Sequence, residues 1–570
     1  MSKNIHISWN GIINKNEISI FRIIEENEYF LKEEYSKFIN EFLNKNFIKS
    51  LDYSKSNICL MSRFYEKNLY STPNILKIFK IFLIRKLIKK KNIIISNIDE
   101  FEAKLIKKIF KNNEKVIFTN IKKKPCNFLQ ITSVLFYYFR GLATYVKFFV
   151  LNLKFRLKNL SKIKNFKVII FSYFINFESN FKLANWGNFD SLFLNNPAWM
   201  HQFYFNNTSI NKYKKLNNFF FRNYIFNNNK KNFHFFLEGC YSYLDLLKIF
   251  FTFTKFNFKN LLYYLKLKKS LKNNEYNRHL FEYIKKDFLH SFFGSGLMRS
   301  IIYIFHFKNI FKFLDYNAVI FYSKEGLGWE NALICEAGER KKVGIIHSPV
   351  RSWDIKFYIK NKFKKIFPDF TIVSSNNCLR IMTKNGYNLH CLKMLENLKF
   401  SKKLQNNNIK RINKNKKILI LGSFFDSLTL DLLDKLQRLK FKCNFDIKLH
   451  PASEIKKSNF DPKRFNFIND NLNELLIKDK YDLYIIDSDT SVAIDLLIYK
   501  KSFMIYISPK FINTSFIKMN NYLFFSDVSK IKEILEKDFR KFPINYKNYI
   551  NYKSNLTKWK NFLDTILYKK

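Results

Sequence analysis

The chain has 570 residues, 47% hydrophobic and 18% aromatic, which excludes a disordered protein and leaves room for about two to four domains. Lys and Arg total 100 against 46 Asp and Glu, a net charge of +54. The excess is mostly Lys spread over the whole length, without an Arg-rich block, so it reads as composition bias more than as a nucleic-acid footprint; such a surface still favours acidic lipids and nucleotides.

The N-terminus, MSKNIHISWNGIINKNE, is polar and lacks an apolar core, so it is not read as a secretory signal. The seven cysteines (59, 126, 240, 335, 378, 391, 443) show no CxxC and no metal-like spacing, which fits free thiols in a reducing compartment. Residues 1–130 are expected to form a small α/β region. Helical patterns at Phe30–Phe47 and Ile75–Ile88 surround the strand NIIISNID at 92–99, and a helix and the strand KVIFTNI follow. No chemistry above scaffold is read there.

Residues 131–153, ITSVLFYYFRGLATYVKFFVLNL, are long and apolar enough to span a bilayer. Arg140 and Lys147 interrupt the segment, and charges at bilayer depth are costly. Residues 131–165 are therefore read as a basic apolar helix, buried or lying in the membrane interface, with a true span as the alternative.

Residues 166–400 alternate strand and helix, which predicts a second α/β domain with a mostly parallel sheet. FKVIIFSYF (166–174) is a strand, followed by a polar, aromatic loop at Asn185–Phe189 and then by Pro197-Ala198-Trp199-Met200-His201, and the Asn-rich 205–232 is a surface insertion. The strand YNAVIFYS (316–323) ends in Lys324-Glu325-Gly326-Leu327-Gly328-Trp329-Glu330. The strand KVGIIHS ends in His347, Ser348, Pro349, Val350, Arg351, Ser352, Trp353 and Asp354. Strand PDFTIVSS and a helix stopped at Gly386 follow. The polar stretch 401–416 is the expected linker. Residues 417–570 form a third α/β unit with a helical, basic tail. Its single Gly422 is no GxGxxG, so a dinucleotide-redox fingerprint is absent.

Two strand ends in this last unit carry the candidate chemistry. FDIKLHP ends in His450-Pro451, and the proline aims the imidazole out of the strand end. YDLYIID runs into Ser488-Asp489-Thr490-Ser491, which opens a helix. Imidazole, hydroxyls and a helix start on neighbouring strands make an anion site. Asp487-Ser488-Asp489 has the spacing of a metal-binding acidic pair, but is read as part of that loop, and no metal is expected. In the middle of the chain, Glu325, Glu330 and Asp354 supply candidate carboxylate bases, and His347, Arg351 and Trp329 candidate substrate contacts. The tryptophans at 186, 199, 329 and 353 suit sugar stacking or, equally simply, an aromatic core.

His450, Pro451, Thr490 and Ser491 resemble the HP and Ser-Ser/Thr motifs of bacterial sialyltransferases and related capsule transferases of GT-B architecture. That resemblance implies two facing Rossmann-like domains, with those four residues around the phosphate of a CMP-activated nonulosonic acid; Ser488 and Gly422, outside the resemblance, are further candidate phosphate contacts. Those families carry an acidic pair before a glycine as the base; Lys324-Glu325-Gly326 is half of it. Over about 166–500 the chain also looks like a bacterial surface-carbohydrate biosynthesis family found with sialic-acid gene sets, through FSYF, YSKEGLGWEN, GIIHSPVRSWDIKFY and LENLKF.

The resulting expectation is a GT-B-like, metal-independent glycosyltransferase, cytoplasmic and peripheral on the inner membrane. It would take a nucleotide-sugar donor and a glycan or lipid-linked glycan acceptor, with no cofactor and no nucleic acid. A CDP-polyol phosphotransferase or a UDP-sugar transferase stays open on the same scaffold, because the motifs recognise phosphate rather than sugar. A non-catalytic basic polyanion-binding protein stays open in another class.

Overall fold

The computed structural model describes residues 4–12, 14, 16–69, 72, 74–89, 91–110, 113, 115–122, 133–155, 160–173, 185–195, 197–202, 233–360, 366–400, 417–438, 444–451, 453–478, 480–517, 523–531, 548–551 and 555–568. The expected linker 401–416 and the whole Asn-rich insertion 205–232 lie outside them.

The N-terminal region holds β1 (Ile5–Ser8), β2 (Ile18–Ser19), the small hairpin of β3 (Asp52–Tyr53) with β4 (Ser56–Asn57), then β5 (Ile93–Ser96) and β6 (Val116–Phe118). Four of these pair in parallel in the order β2-β1-β5-β6. The helices Glu28–Leu43 and Asn74–Leu87 bury Leu31, Tyr35 and Phe38 against Phe79 and Phe82.

The second sheet comprises β7 (Val168–Tyr173), β8 (Ala198–Gln202), β9 (Phe233–Phe236), β10 (Val319–Ser323), β11 (Lys342–Ile345), β12 (Phe370–Val373) and β13 (Leu392–Met394). Its order is β13-β12-β11-β10-β7-β8-β9, all parallel. Counted from β7 this is the Rossmann order 3-2-1-4-5-6 with a seventh strand added. The third sheet comprises β14 (Ile418–Leu421), β15 (Phe445–Lys448), β16 (Phe465–Phe467), β17 (Leu483–Asp487), β18 (Phe503–Tyr506) and β19 (Phe524–Phe525). Its order, β16-β15-β14-β17-β18-β19, is again 3-2-1-4-5-6 and parallel throughout. The central strands read as unbroken apolar runs because both faces are covered: every residue of β7, β10, β14 and β17 is buried. The fold is thus α/β, with two Rossmann-like domains and an extra N-terminal sheet.

Four features that the sequence reading did not give matter for the site. Residues 197–201, given no element by the sequence, hold most of a strand: Ala198–Gln202 is the buried β8, paired with both β7 and β9. Three long helices, Tyr243–Lys272, Glu275–Phe292 and Ser295–Phe313, stand between β9 and β10. The apolar helix Val134–Phe155 is not a separate unit, because it packs on Ser295–Phe313, with Phe148 edge-on to Tyr241 and His306. The helix Thr557–Leu563 also leaves the domain it follows. Trp559 sits 5.0 Å from Phe189 in the core of the first Rossmann domain, and its indole N–H donates to the Glu396 carbonyl at 2.7 Å.

Candidate functional site

The carboxyl ends of the two sheets meet at Arg351. This residue leaves β11 through His347 and Ser348, and its guanidinium donates to the Asp489 carbonyl in the loop after β17. Asp354 shapes the turn by accepting the Arg351 backbone N–H at 2.8 Å. Arg351 Nε is buried without a hydrogen-bond partner among the described residues.

On the other side of this junction, β14 ends in Gly422-Ser423. The Ser423 hydroxyl donates to Asp489 Oδ1 at 2.7 Å, and the Thr429 hydroxyl to Asp487 Oδ2 at 3.2 Å. Burial, reinforced by repulsion from Asp489, raises Asp487 well above the usual carboxylate range; burial also raises Asp489, against the Ser423 hydrogen bond and the Arg351 charge. His450 lies next to them at the end of β15. Its half-buried ring stands edge-on to Phe424, 5.4 Å away. Burial lowers the imidazole's pKa, and the neighbouring Asp489 and Asp426 carboxylates work against that. The two strand ends run side by side here, and a Cβ at Gly422 would make ordinary contact, 3.4 Å from the His450 backbone nitrogen.

Thr490 and Ser491 are partly exposed at the same edge. The Thr490 hydroxyl accepts from the Val492 N–H at 3.3 Å, while Ser491 makes no capping bond with its side chain. The helix that follows, Val492–Ile498, has only seven residues. Side chains rather than a long helix dipole would therefore supply most of the attraction for an anion here.

The three carboxylates expected as bases separate clearly. Glu330 is 2% exposed and locks the loop after β10, accepting from the Glu325 and Leu327 backbone N–H groups at 2.7 and 2.9 Å. Its other oxygen lies 3.9 Å from the buried Lys324 ammonium. Asp354 is buried in its turn. Glu325 alone is partly exposed, and its carboxylate has no hydrogen bond or ion pair among the described residues. His347 is sealed behind Trp186, 4.7 Å between rings, and burial lowers its pKa to about 3. Trp186, Trp199, Trp329 and Trp353 are all buried, and Trp329 donates its indole N–H to Tyr173.

Sequence reasoning missed Ser423 and Glu66. Ser423 carried a usable signal, since it follows the only glycine at the end of β14. Glu66 carried none: it reaches the site from a four-residue helix, Arg63–Glu66, and accepts the Gly328 N–H at 2.7 Å across 262 residues of chain. Gly328 permits this approach, because a Cβ there would stand 2.6 Å from the Met61 carbonyl oxygen.

No family model matches the chain, and no curated protein matches it. Among solved structures it is similar to the UDP-GlcNAc 2-epimerase of Neisseria meningitidis bound to UDP-GlcNAc, at 11% identity and a TM-score of 0.31, covering 48% of this chain and 82% of that one. It is similar to a variant of the wall teichoic acid polymerase TagF, at 10% and 0.33, covering 75% and 96%. It is also similar to Anabaena HepE in complex with UDP and glucose, at 8% and 0.34, covering 71% and 100%. At these values the strand orders, not the likenesses, carry the fold.

Proposed function

We propose that the protein is a glycosyltransferase of surface-polysaccharide biosynthesis. The observation that carries this reading is the Arg351–Asp489 junction, where a cation from one Rossmann-like domain meets the loop holding Thr490 and Ser491 beside His450 of the other. The second domain holds the nucleotide of the donor, with its phosphate at His450, Thr490, Ser491 and Arg351. The acceptor hydroxyl approaches from the first domain, and Glu325 takes its proton. The hydroxyl oxygen attacks the anomeric carbon, and the nucleotide phosphate leaves with the bonding electron pair. The charge that grows on it is met by protein groups, without a metal ion. The HP and Thr-Ser resemblance favours a CMP-linked nonulosonic acid as donor; a UDP-sugar or CDP-polyol fits the same phosphate contacts.

Membrane attachment belongs to this reading. Helix Val134–Phe155 exposes Leu135, Phe139, Val146, Val150 and Leu153 beside Arg140 and Lys147. Its neighbour Tyr243–Lys272 exposes Leu244, Leu247, Phe251, Phe258, Leu262 and Leu265 among lysines. Apolar side chains rimmed by cations suit an anionic bilayer surface. The protein would work as a peripheral protein on the cytoplasmic face of the inner membrane.

The test is nucleotide titration by thermal shift with CMP, CDP, UMP, UDP and GDP, in EDTA. One cytidine or uridine nucleotide is expected to stabilise the wild type. His450→Ala should weaken that nucleotide roughly ten- to a hundredfold through loss of a charge-assisted hydrogen bond. Glu325→Gln should keep it while losing turnover. No stabilisation by any nucleotide, or equal affinity in His450→Ala, would sink the reading.

A further inference from the structure

A cavity of about 400 Å³ lies at the carboxyl ends of β7 and β8, away from the Arg351–Asp489 junction. Its walls come from the N-terminal segment 61–68, the helices Val134–Phe155 and Ser295–Phe313, and Leu327–Trp329 after β10. The size is that of a small-ligand site, and its place outside the strand ends is where open α/β sheets bind ligands. We propose that this cavity is the acceptor site of the enzyme proposed above and holds a sugar ring of the glycan, with Glu66, Arg299 and Gln202 as its polar contacts.

The lining distinguishes a hydroxylated ring from other occupants. The Gln202 amide donates to the Tyr303 hydroxyl at 2.6 Å, while its oxygen, on a side chain 9% exposed, has no partner among the described residues. Nδ1 of the buried His306 is also without one. Buried polar atoms left unpaired are costly, so the cavity calls for groups that both donate and accept. An apolar ligand would leave these atoms unpaired. A phosphate would meet the carboxylates of Glu66 and Glu238 on the same wall. Sugar hydroxyls satisfy both conditions.

Two further observations agree. Arg299 is exposed at the cavity and makes no hydrogen bond or ion pair among the described residues. Burial pushes the Glu66 carboxyl up to about 7, so near neutral pH it can either donate to or accept from a ring hydroxyl. Glu325 follows the carboxyl end of β10, the parallel neighbour of β7, whose last residue Tyr173 lines the cavity, so a ring held here sits at the same edge of the sheet as the candidate base. The helix that exposes apolar residues to the membrane lends Thr144, Lys147 and Leu151 to this wall, so a glycan carried on a lipid would be presented at its mouth. The N-terminal region, read from sequence as scaffold, thereby acquires a role in acceptor choice.

Saturation-transfer NMR tests the assignment, with methyl glycosides of galactose, glucose, N-acetylglucosamine and N-acetylneuraminic acid as probes. The wild type should saturate the ring protons of at least one. Arg299→Ala removes an exposed, unpaired side chain, and Glu66→Gln keeps an oxygen for the Gly328 N–H, so both variants should fold. Each should reduce saturation by roughly fivefold or more, the loss of one hydrogen bond. No saturation of any glycoside by the wild type, or undiminished saturation in both variants, overturns the proposal. Nucleotide titration of the same proteins reads the donor site separately. Loss of nucleotide binding in the wild type would strike the transferase reading while leaving the glycoside result to be judged alone.

Discussion

Glu66 and Glu330 face the same loop, yet their chemistry differs. Glu330 spends its carboxylate on two backbone N–H groups and a buried lysine, so it holds the loop in shape. Glu66 accepts one backbone N–H and is left with an oxygen toward the cavity. Burial is the largest influence on Glu66 and raises it from about 4.5 in the unfolded chain to about 7. A raised carboxyl favours the folded state only while protonated: the stability is fully present below about pH 4.5 and is lost as pH rises through about 7. Above pH 7 the wild type should carry a penalty of up to about 3 kcal/mol from this one group. Glu66→Gln should therefore melt higher than the wild type at pH 8 and about equally at roughly pH 3, where Glu66 is neutral in both the folded and the unfolded chain. Identical pH–stability curves for the two proteins would show that Glu66 is better solvated than its position implies.

At the scale of elements, legibility followed punctuation. Strands β10, β11, β14, β15, β17 and β18 are short Val, Ile and Phe runs closed by Gly, Pro, Ser or Asp, and the structure places each within a few residues of its expected position. The placement of His450, Thr490, Ser491 and Arg351 just past strand ends was legible for the same reason. Residues 243–313 offered no such boundary. Leu244, Leu247, Phe251 and Phe258 lie on the outer face of their helix, so the apolar period that marks a core-facing stripe is blurred on both sides. The feature that hid this helix is what the membrane reading needs. Anionic vesicles should pull down the wild type at low salt, and high salt or alkaline carbonate should release it, because cations and a shallow apolar face act together. Replacing Leu244, Leu247 and Phe251 with Gln should abolish the pull-down with nucleotide binding intact. Release by detergent alone would mean that Val134–Leu153 spans the bilayer. That stretch and Glu275–Phe313 are both long and apolar enough to do so, but only 22% of the first is buried against 78% of the second.

The whole molecule is held shut by segments that ignore the domain order of the chain. The N-terminal region grips the loop after β18. Ser19 donates to the Pro509 carbonyl at 2.6 Å, Arg22 to the Ser508 carbonyl at 2.7 Å, and the Asn513 N–H to Glu25. Gly11, at a φ of +72°, lies so close that a Cβ would stand 2.0 Å from the Pro509 oxygen. From the other end, the chain returns past Asn397, which donates its backbone N–H to the Asn551 carbonyl at 2.7 Å, and buries Trp559 in the first Rossmann-like domain. A fully buried tryptophan is worth several kcal/mol when removed, about 3–5 kcal/mol on truncation to alanine. Polypeptide continuity through 401–416 is therefore not what keeps the second domain in place. Limited proteolysis within 401–416 should give two fragments that co-elute in gel filtration and still bind nucleotide. They should part only in denaturant, or when Trp559→Ala is combined with Gly11→Val to loosen both clasps. A fragment starting near residue 417 that elutes alone and folded from the wild type would show that the clasps are weak, and that the two domains move as bodies joined by the linker alone.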